Sequence, residues 1–199
     1  NHSWGWAGGG VLCAFGDLTI TNSVLHDNSA HYGGGLNVFR GAVLCDNVHF
    51  HSNIGTAPYA GGGVDIWSPN EDILDNQVIL RNVLIEDNYS ADGSNNGIYN
   101  GGKLVVSNTV TQSILNAGWI SFDPEFGASD LVINGDYGFV HGSDWYGADG
   151  GRFQLFIHEQ DGVLVSDTIH LTGQFGVQFY TDTSGSIGLI EIENLSGLS

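Results

Sequence analysis

Gly33-Gly34-Gly35-Leu36, then Phe50-His51-Ser52-Asn53, then Gly61-Gly62-Gly63-Val64 is the stretch that decides the fold. The glycine triplet also stands at Gly8-Gly9-Gly10-Val11, so its copies recur at spacings of 25 and 28 residues, with Gly97-Ile98 as a degenerate further copy. The second signature repeats at matching offsets as Leu25-His26-Asp27-Asn28 and Ile85-Glu86-Asp87-Asn88. Self-similarity at this period marks stacked units, each too small to bury an apolar face alone.

Aligned on these anchors, Leu18, Val43, Val78 and Leu104 share one column, and Ile20, Cys45, Leu80 and Val106 share another two residues on. Alternation of apolar with polar residues is the period of a strand with one buried face, so both columns are expected to point inward. Two sets of asparagines then fall into register: Asn22, Asn47, Asn82 and Asn108, and Asn28, Asn53 and Asn88. An amide at a corner can donate to one neighbouring unit and accept from the other, so both sets are candidate ladders, with Asn47 expected as a buried internal rung. Each unit is read as about one coil of a solenoid, and the turn-rich stretches Ser68 to Asn76 and Ser90 to Asn96 as insertions.

At these residues the chain resembles the right-handed parallel β-helix repeats of the polymorphic outer-membrane-protein type, within the broad pectate-lyase-like superfamily. Phe50 to Asn53 matches its Phe-x-x-Asn element, while Leu25 and Ile85 replace the aromatic and a third Gly replaces the usual Ala. Beyond Asn116 the elements Asp123-Pro124-Glu125-Phe126 and Gly142-Ser143 resemble the segment that ends many secreted bacterial β-helix proteins, although Asp144-Trp145-Tyr146 stands where Pro-Ala-Ile-Asp is usual. The resemblance implies an all-β chain: a right-handed parallel β-helix over 1–118, a terminating segment over 119–151, and a small antiparallel β cap or sandwich over 152–199. The last is also read directly from the alternating runs at Phe153 to Ile157, Val163 to Val165 and Phe175 to Phe179. Because the same scaffold carries adhesins, autotransporter passengers, lyases and hydrolases, it specifies the fold far better than the function.

Composition narrows the function classes. Four Lys+Arg against 22 Asp+Glu leave a formal charge of -18, which repels nucleic-acid phosphates and anionic lipid alike. Gly at 31 residues with no Met points to tight turns rather than helices, and no apolar run reaches the 18 or so residues that a spanning helix needs. The chain opens at Asn1 without a signal segment, so a processed or truncated product is expected. The functional expectation is therefore a structural module of an extracellular or cell-surface assembly, a filament, adhesin or surface layer. Its partners would be other copies of itself or surface proteins, with no nucleic acid and no membrane insertion. Glycans are the alternative partner.

Candidate sites follow the same register. Asn37, Phe39, Asp65 and Trp67 occupy positions after the glycine triplets expected to face outward, where two aromatic faces and two polar groups would suit a sugar; packing under an overlying segment is the bland alternative. Glycoside hydrolysis needs paired carboxyl groups, yet Asn37 stands where a partner for Asp65 would be, so no catalytic residue is assigned. Asp123, Asp130, Asp136, Asp144 and Asp149 form a candidate calcium cluster, with turn formation as the alternative role. His26 and His51, with Asp27 or His49 nearby, are a weaker zinc candidate, because a site needs three or four ligands. Sequons place glycosylation candidates at Asn1, Asn88 and Asn194. Cys13 and Cys45 point inward either as free thiols packed like small hydrophobes or as a cross-core disulfide.

Overall fold

A computed structural model describes residues 7–58, 60–67, 76–91, 97–116, 118–123, 130–141, 152–154, 157–160, 163–166, 168–171 and 178–179, with side-chain contacts through residue 133. Among these residues there is no helix. The chain is all-β, and the strands in order are β1 (Val11–His26), β2 (Ser29–Ala30), β3 (Leu36–His51), β4 (Ile54–Gly55), β5 (Val64–Trp67) and β6 (Gln77–Arg81). There follow β7 (Leu84–Glu86), β8 (Tyr89–Ser90), β9 (Ile98–Asn100), β10 (Lys103–Ser107), β11 (Thr109–Asn116) and β12 (Trp119–Phe122). The remainder are β13 (Asp130–His141), β14 (Arg152–Gln154), β15 (Ile157–Gln160), β16 (Val163–Ser166), β17 (Thr168–Leu171) and β18 (Gln178–Phe179).

A single 13-stranded sheet takes most of these strands, and its pairings are parallel. The expected columns are its register. Leu18 pairs with Val43, Val43 with Val78 and Val78 with Leu104, while Ile20, Cys45, Leu80 and Val106 are matched in the same way. A third column runs through Leu25, Phe50, Ile85, Thr111 and Ile133. The apolar side chains of these columns belong to one continuous core, in which Phe50, Leu80, Ile85 and Leu104 are fully buried.

The long strands bend where residues take left-handed backbone angles. In β3 burial falls on Leu36 and Val38, then on Gly41, Val43 and Cys45, then on Val48 and Phe50, so its parity switches twice. The switches coincide with Arg40 at φ 54° and Asn47 at φ 55°, and Ser52 at φ 55° turns the chain again before Asn53. Each αL residue inserts one position into the two-residue alternation, which is how one strand can present apolar side chains to a common interior from successive directions. Phe15, Asn22 and Asp27 repeat the pattern in the unit before, and Asn82, Asp87 and Asn108 in the units after. Asn and Asp suit these places because their short polar side chains tolerate αL better than most residues.

The glycine triplets have two separate reasons. Gly33 lies at φ 62°, whereas a Cβ on Gly34 would come within 2.5 Å of the Ile54 backbone nitrogen. The first position needs a left-handed backbone and the second needs close approach of the next unit.

The sheet also continues past the last recognisable repeat. β12 pairs in parallel with β10, adding Ile120 and Phe122 to the columns of Leu104 and Val106. Antiparallel pairing, expected from Arg152 onward, occurs between β15 and β16. In contrast, β14 joins β12, and β17 and β18 join β13, all in parallel. The residue alternation is common to both kinds of one-sided strand, and only the direction of a distant partner separates them.

Candidate functional site

Two buried polar arrangements and one exposed aromatic ridge stand out. The first is the column Asn28, Asn53 and Asn88. Asn28 Nδ2 donates to Asn53 Oδ1 at 3.0 Å, and Asn53 Nδ2 donates to Asn88 Oδ1 at 2.9 Å. The same two oxygens accept the backbone N–H of Asn28 and of Asn53. Each interior amide also reaches back to the preceding unit, Asn53 Nδ2 to the Leu25 carbonyl and Asn88 Nδ2 to the Phe50 carbonyl. Gln112 follows Asn88 in the column, its Oε1 accepting from Asn88 N and its Nε2 donating to the Asn88 carbonyl.

The other asparagine set differs from expectation. Asn22, Asn47, Asn82 and Asn108 are exposed. Asn47 Nδ2 donates to Asn22 Oδ1 at 2.7 Å and Asn108 Nδ2 to Asn82 Oδ1 at 3.4 Å, but Asn82 Nδ2 turns to Asp46 Oδ1, so the chain of amides is interrupted between Asn47 and Asn82. These residues are chosen by their αL backbone, not by burial, and Asn47 is therefore not a buried rung. Beside them Val24, His49 and Leu84 complete a shallow open groove.

The sugar-platform residues divide. Asn37 and Asp65 are buried, Asn37 Nδ2 donating to Asp65 Oδ1 at 3.3 Å and Gly61 N donating to Asp65 Oδ2 at 3.1 Å. Both residues alternate with the core residues Leu36, Val38, Val64 and Ile66, so their direction along the strand is the expected one, but their side chains meet each other and are buried, which corrects the expected exposure to a ligand. Burial pushes the Asp65 carboxyl up to about 7, the Gly61 N–H opposing it. Phe39 and Trp67 do come together, their rings stacked at 5.4 Å, with Tyr32 parallel to Trp67 and Phe15 edge-on to Phe39. The Arg40 guanidinium lies 5.8 Å from the Phe15 ring centre and 5.6 Å from that of Phe39. Trp67 is 40% exposed and Phe15 is 67% exposed, so the ridge keeps aromatic surface open to solvent even though several of its ring faces meet one another.

Of the five aspartates in the candidate calcium cluster, Asp123 and Asp130 have described side chains. Asp123 is buried against Arg81, Nε to Oδ2 at 2.7 Å, whereas Asp130 is exposed. Asp136 falls inside β13, and Asp144 and Asp149 lie outside the described residues. His26 and His51 stack with ring centres 5.0 Å apart, as their register requires, and His49 Nε2 meets Glu86 Oε1 at 2.9 Å. The hydrogen bond from His26 holds the exposed Asp27 carboxyl below its usual range. Among the described residues no group of three or more His, Cys, Asp or Glu side chains is placed to hold a metal ion.

Of the sequons, Asn88 is fully buried with its Nδ2 engaged by the Phe50 and Glu86 carbonyls, so the folded chain does not present it for glycosylation. Asn1 and Asn194 lie outside the described residues. Both cysteines are free and buried, and burial pushes the Cys45 thiol up to about 12.

Sequence reasoning overlooked several members of these arrangements. Asn100 and Asn116 form a further buried amide pair, and Asn76 bridges the Gly41 N–H and the Trp67 carbonyl. They occupy positions of the Ile66 column and of an insertion, where no repeated residue type signals them. Tyr32 carried a usable signal, since it directly precedes the second glycine triplet.

Compared with protein-family models, with curated proteins and with solved structures, the chain matches none. Nothing in those comparisons points to an enzyme. No helix among the described residues is long and apolar enough to cross a membrane.

Proposed function

We propose that the chain is a right-handed parallel β-helix serving as a structural module of an extracellular or cell-surface assembly. The observation that carries this reading is the unbroken register of Leu18, Val43, Val78 and Leu104, because one-to-one parallel pairing across successive repeats is what stacked coils require. On this reading the αL residues are the corners of each coil and the asparagine column ties coil to coil. The acid excess keeps so large a sheet soluble and apart from nucleic acid. An experimental structure tests the fold: successive units should wind right-handed about one axis, and a flat or open sheet would overturn it. Antibody labelling of intact source cells tests the role, since a chain found only behind the membrane is not a surface module.

A second reading, a carbohydrate-binding adhesin, is favoured by the exposed parts of Phe15 and Trp67 beside Arg40. A glycan array separates the two readings. Specific binding lost in Trp67→Ala supports the adhesin, and absence of binding to any glycan removes it.

A further inference from the structure

Imidazoles and a carboxylate gather on the outward side of β3 and the strands beside it. His49 and His51 alternate with Val48 and Phe50, which are 2% and 0% exposed, so both rings leave the sheet on the face opposite the core. The register sets Glu86 of β7 beside His51 and His26 of β1 on its other side, while Leu84 and Val24 flank His49. His49 Nε2 meets Glu86 Oε1 diagonally at 2.9 Å, and the His49 and His51 ring centres lie 4.6 Å apart with a tilt of 40°. His51 Nδ1 lies 3.3 Å from Ser52 Oγ, and its Nε2 makes no hydrogen bond among the described residues. Both members of the His49 and Glu86 pair are reached by solvent.

An ion pair accounts for His49 with Glu86, but not for a second imidazole on the same face two residues on. Imidazole nitrogens with a carboxylate oxygen are the donor set of a late first-row divalent ion, held at about 2.0–2.2 Å. Two such donors on one ion stand about 3–3.4 Å apart, close to the 2.9 Å between His49 Nε2 and Glu86 Oε1. The residues in register with the two histidines include no Lys or Arg to repel a cation. The chain's charge of -18 draws cations to its surface.

We propose that His49, His51 and Glu86 bind one late first-row divalent ion of the Zn(II) kind, with water as the remaining ligand. Two of the three donors already stand together. The third comes from a turn of the His51 ring about its side-chain bonds, which brings Nε2 to the other two and ends its stack on His26. That turn is what separates the site from the arrangement described above, in which three donors do not converge. The ion takes the place of the proton between His49 Nε2 and Glu86 Oε1, and that proton passes to solvent. His26 is not required as a ligand, since its Nδ1 is engaged by Asp27 Oδ2 at 2.7 Å. Bound in this way, the ion clips β3 to β7 across an offset of 35 residues between His51 and Glu86. The proposal goes beyond the structural-module reading and needs only the pairing of these two strands.

Isothermal titration of the full chain with zinc chloride, after treatment with EDTA and its removal, tests the site. Saturable binding is expected, weakened at least tenfold in each of His49→Gln, His51→Gln and Glu86→Gln. His31→Gln, which alters a ring packed edge-on against Tyr32, should bind zinc as the parent does. Zinc should also raise the thermal midpoint of the parent but not that of His51→Gln, because an ion held by the folded state alone stabilises it. Histidine side-chain NMR of the parent should show the His49 and His51 ring signals shifting together as zinc is added. This last reading is made on the unaltered chain, so it judges the proposal even where a variant fails to fold. Absence of saturable binding, parental affinity in His49→Gln or His51→Gln, or zinc-induced shifts confined to other histidines would each overturn it.

Discussion

Asn53 Nδ2 donates to Asn88 Oδ1 at 2.9 Å across 35 residues of sequence, and neither side chain is exposed to solvent. The bond crosses the longest offset in the column, so the insertion between the two units leaves the corner geometry unchanged.

Replacing Asn53 by Leu removes this bond together with those to Asn28 and the Leu25 carbonyl. Buried groups on both neighbouring units are then unsatisfied, at about 1–3 kcal/mol each. Urea denaturation should show a loss of at least about 3 kcal/mol, and a midpoint equal to that of the parent chain would refute the ladder.

Asn47 is predicted to respond to backbone shape and not to loss of its amide. Its φ of 55° suits Gly, so Asn47→Gly should change stability by no more than about 0.5 kcal/mol, whereas Asn47→Val should cost about 1–2 kcal/mol through αL strain. Matching urea midpoints for the two variants would show that this corner is not held left-handed in solution.

Arg81 and Asp123 form a pair whose carboxylate side chain is only 4% exposed. Arg81→Met leaves that carboxylate without its guanidinium, at a cost of about 3–5 kcal/mol, while the double change Arg81→Met with Asp123→Leu should recover much of the loss. A double-mutant cycle measured by thermal unfolding checks this. Simple additivity of the single changes would mean that the pair is not coupled.

Asp65 makes stability depend on pH. Its folded value is raised to about 7 from 3.8, so the folded state holds its proton more tightly than the unfolded chain does. The resulting stabilisation is complete below about pH 3.8 and is lost as pH rises through 7. In Asp65→Asn this component should vanish. The difference in stability between parent and variant should therefore shift in favour of the variant as pH rises from about 4 to about 8, by at most a few kcal/mol. A pH-independent difference would mean that the carboxyl is solvated.

The sequence by itself determined the β class, the parallel register and the two inward columns. These follow from a local period of two inside a repeat that brings like residues together, and every unit restates the information. It also carried a mark of the corners, because the parity of apolar positions switches across Arg40 and Asn47, although the asparagines alone suggested ladders at both sets. Only the tertiary structure decided which set is buried. Asn47 and Asn53 are the same residue type six positions apart, and what separates them is that the Asn53 amide is buried between Asn28 and Asn88 whereas the Asn47 amide lies in solvent. The same holds for Asp65, whose carboxyl meets Asn37 from 28 residues away, and for β12, whose place beneath β10 depends on a pairing that its weakened repeat no longer announces. Local alternation states which way a side chain points along its own strand, but the identity and direction of the neighbouring strand are fixed by contacts between residues far apart in the chain.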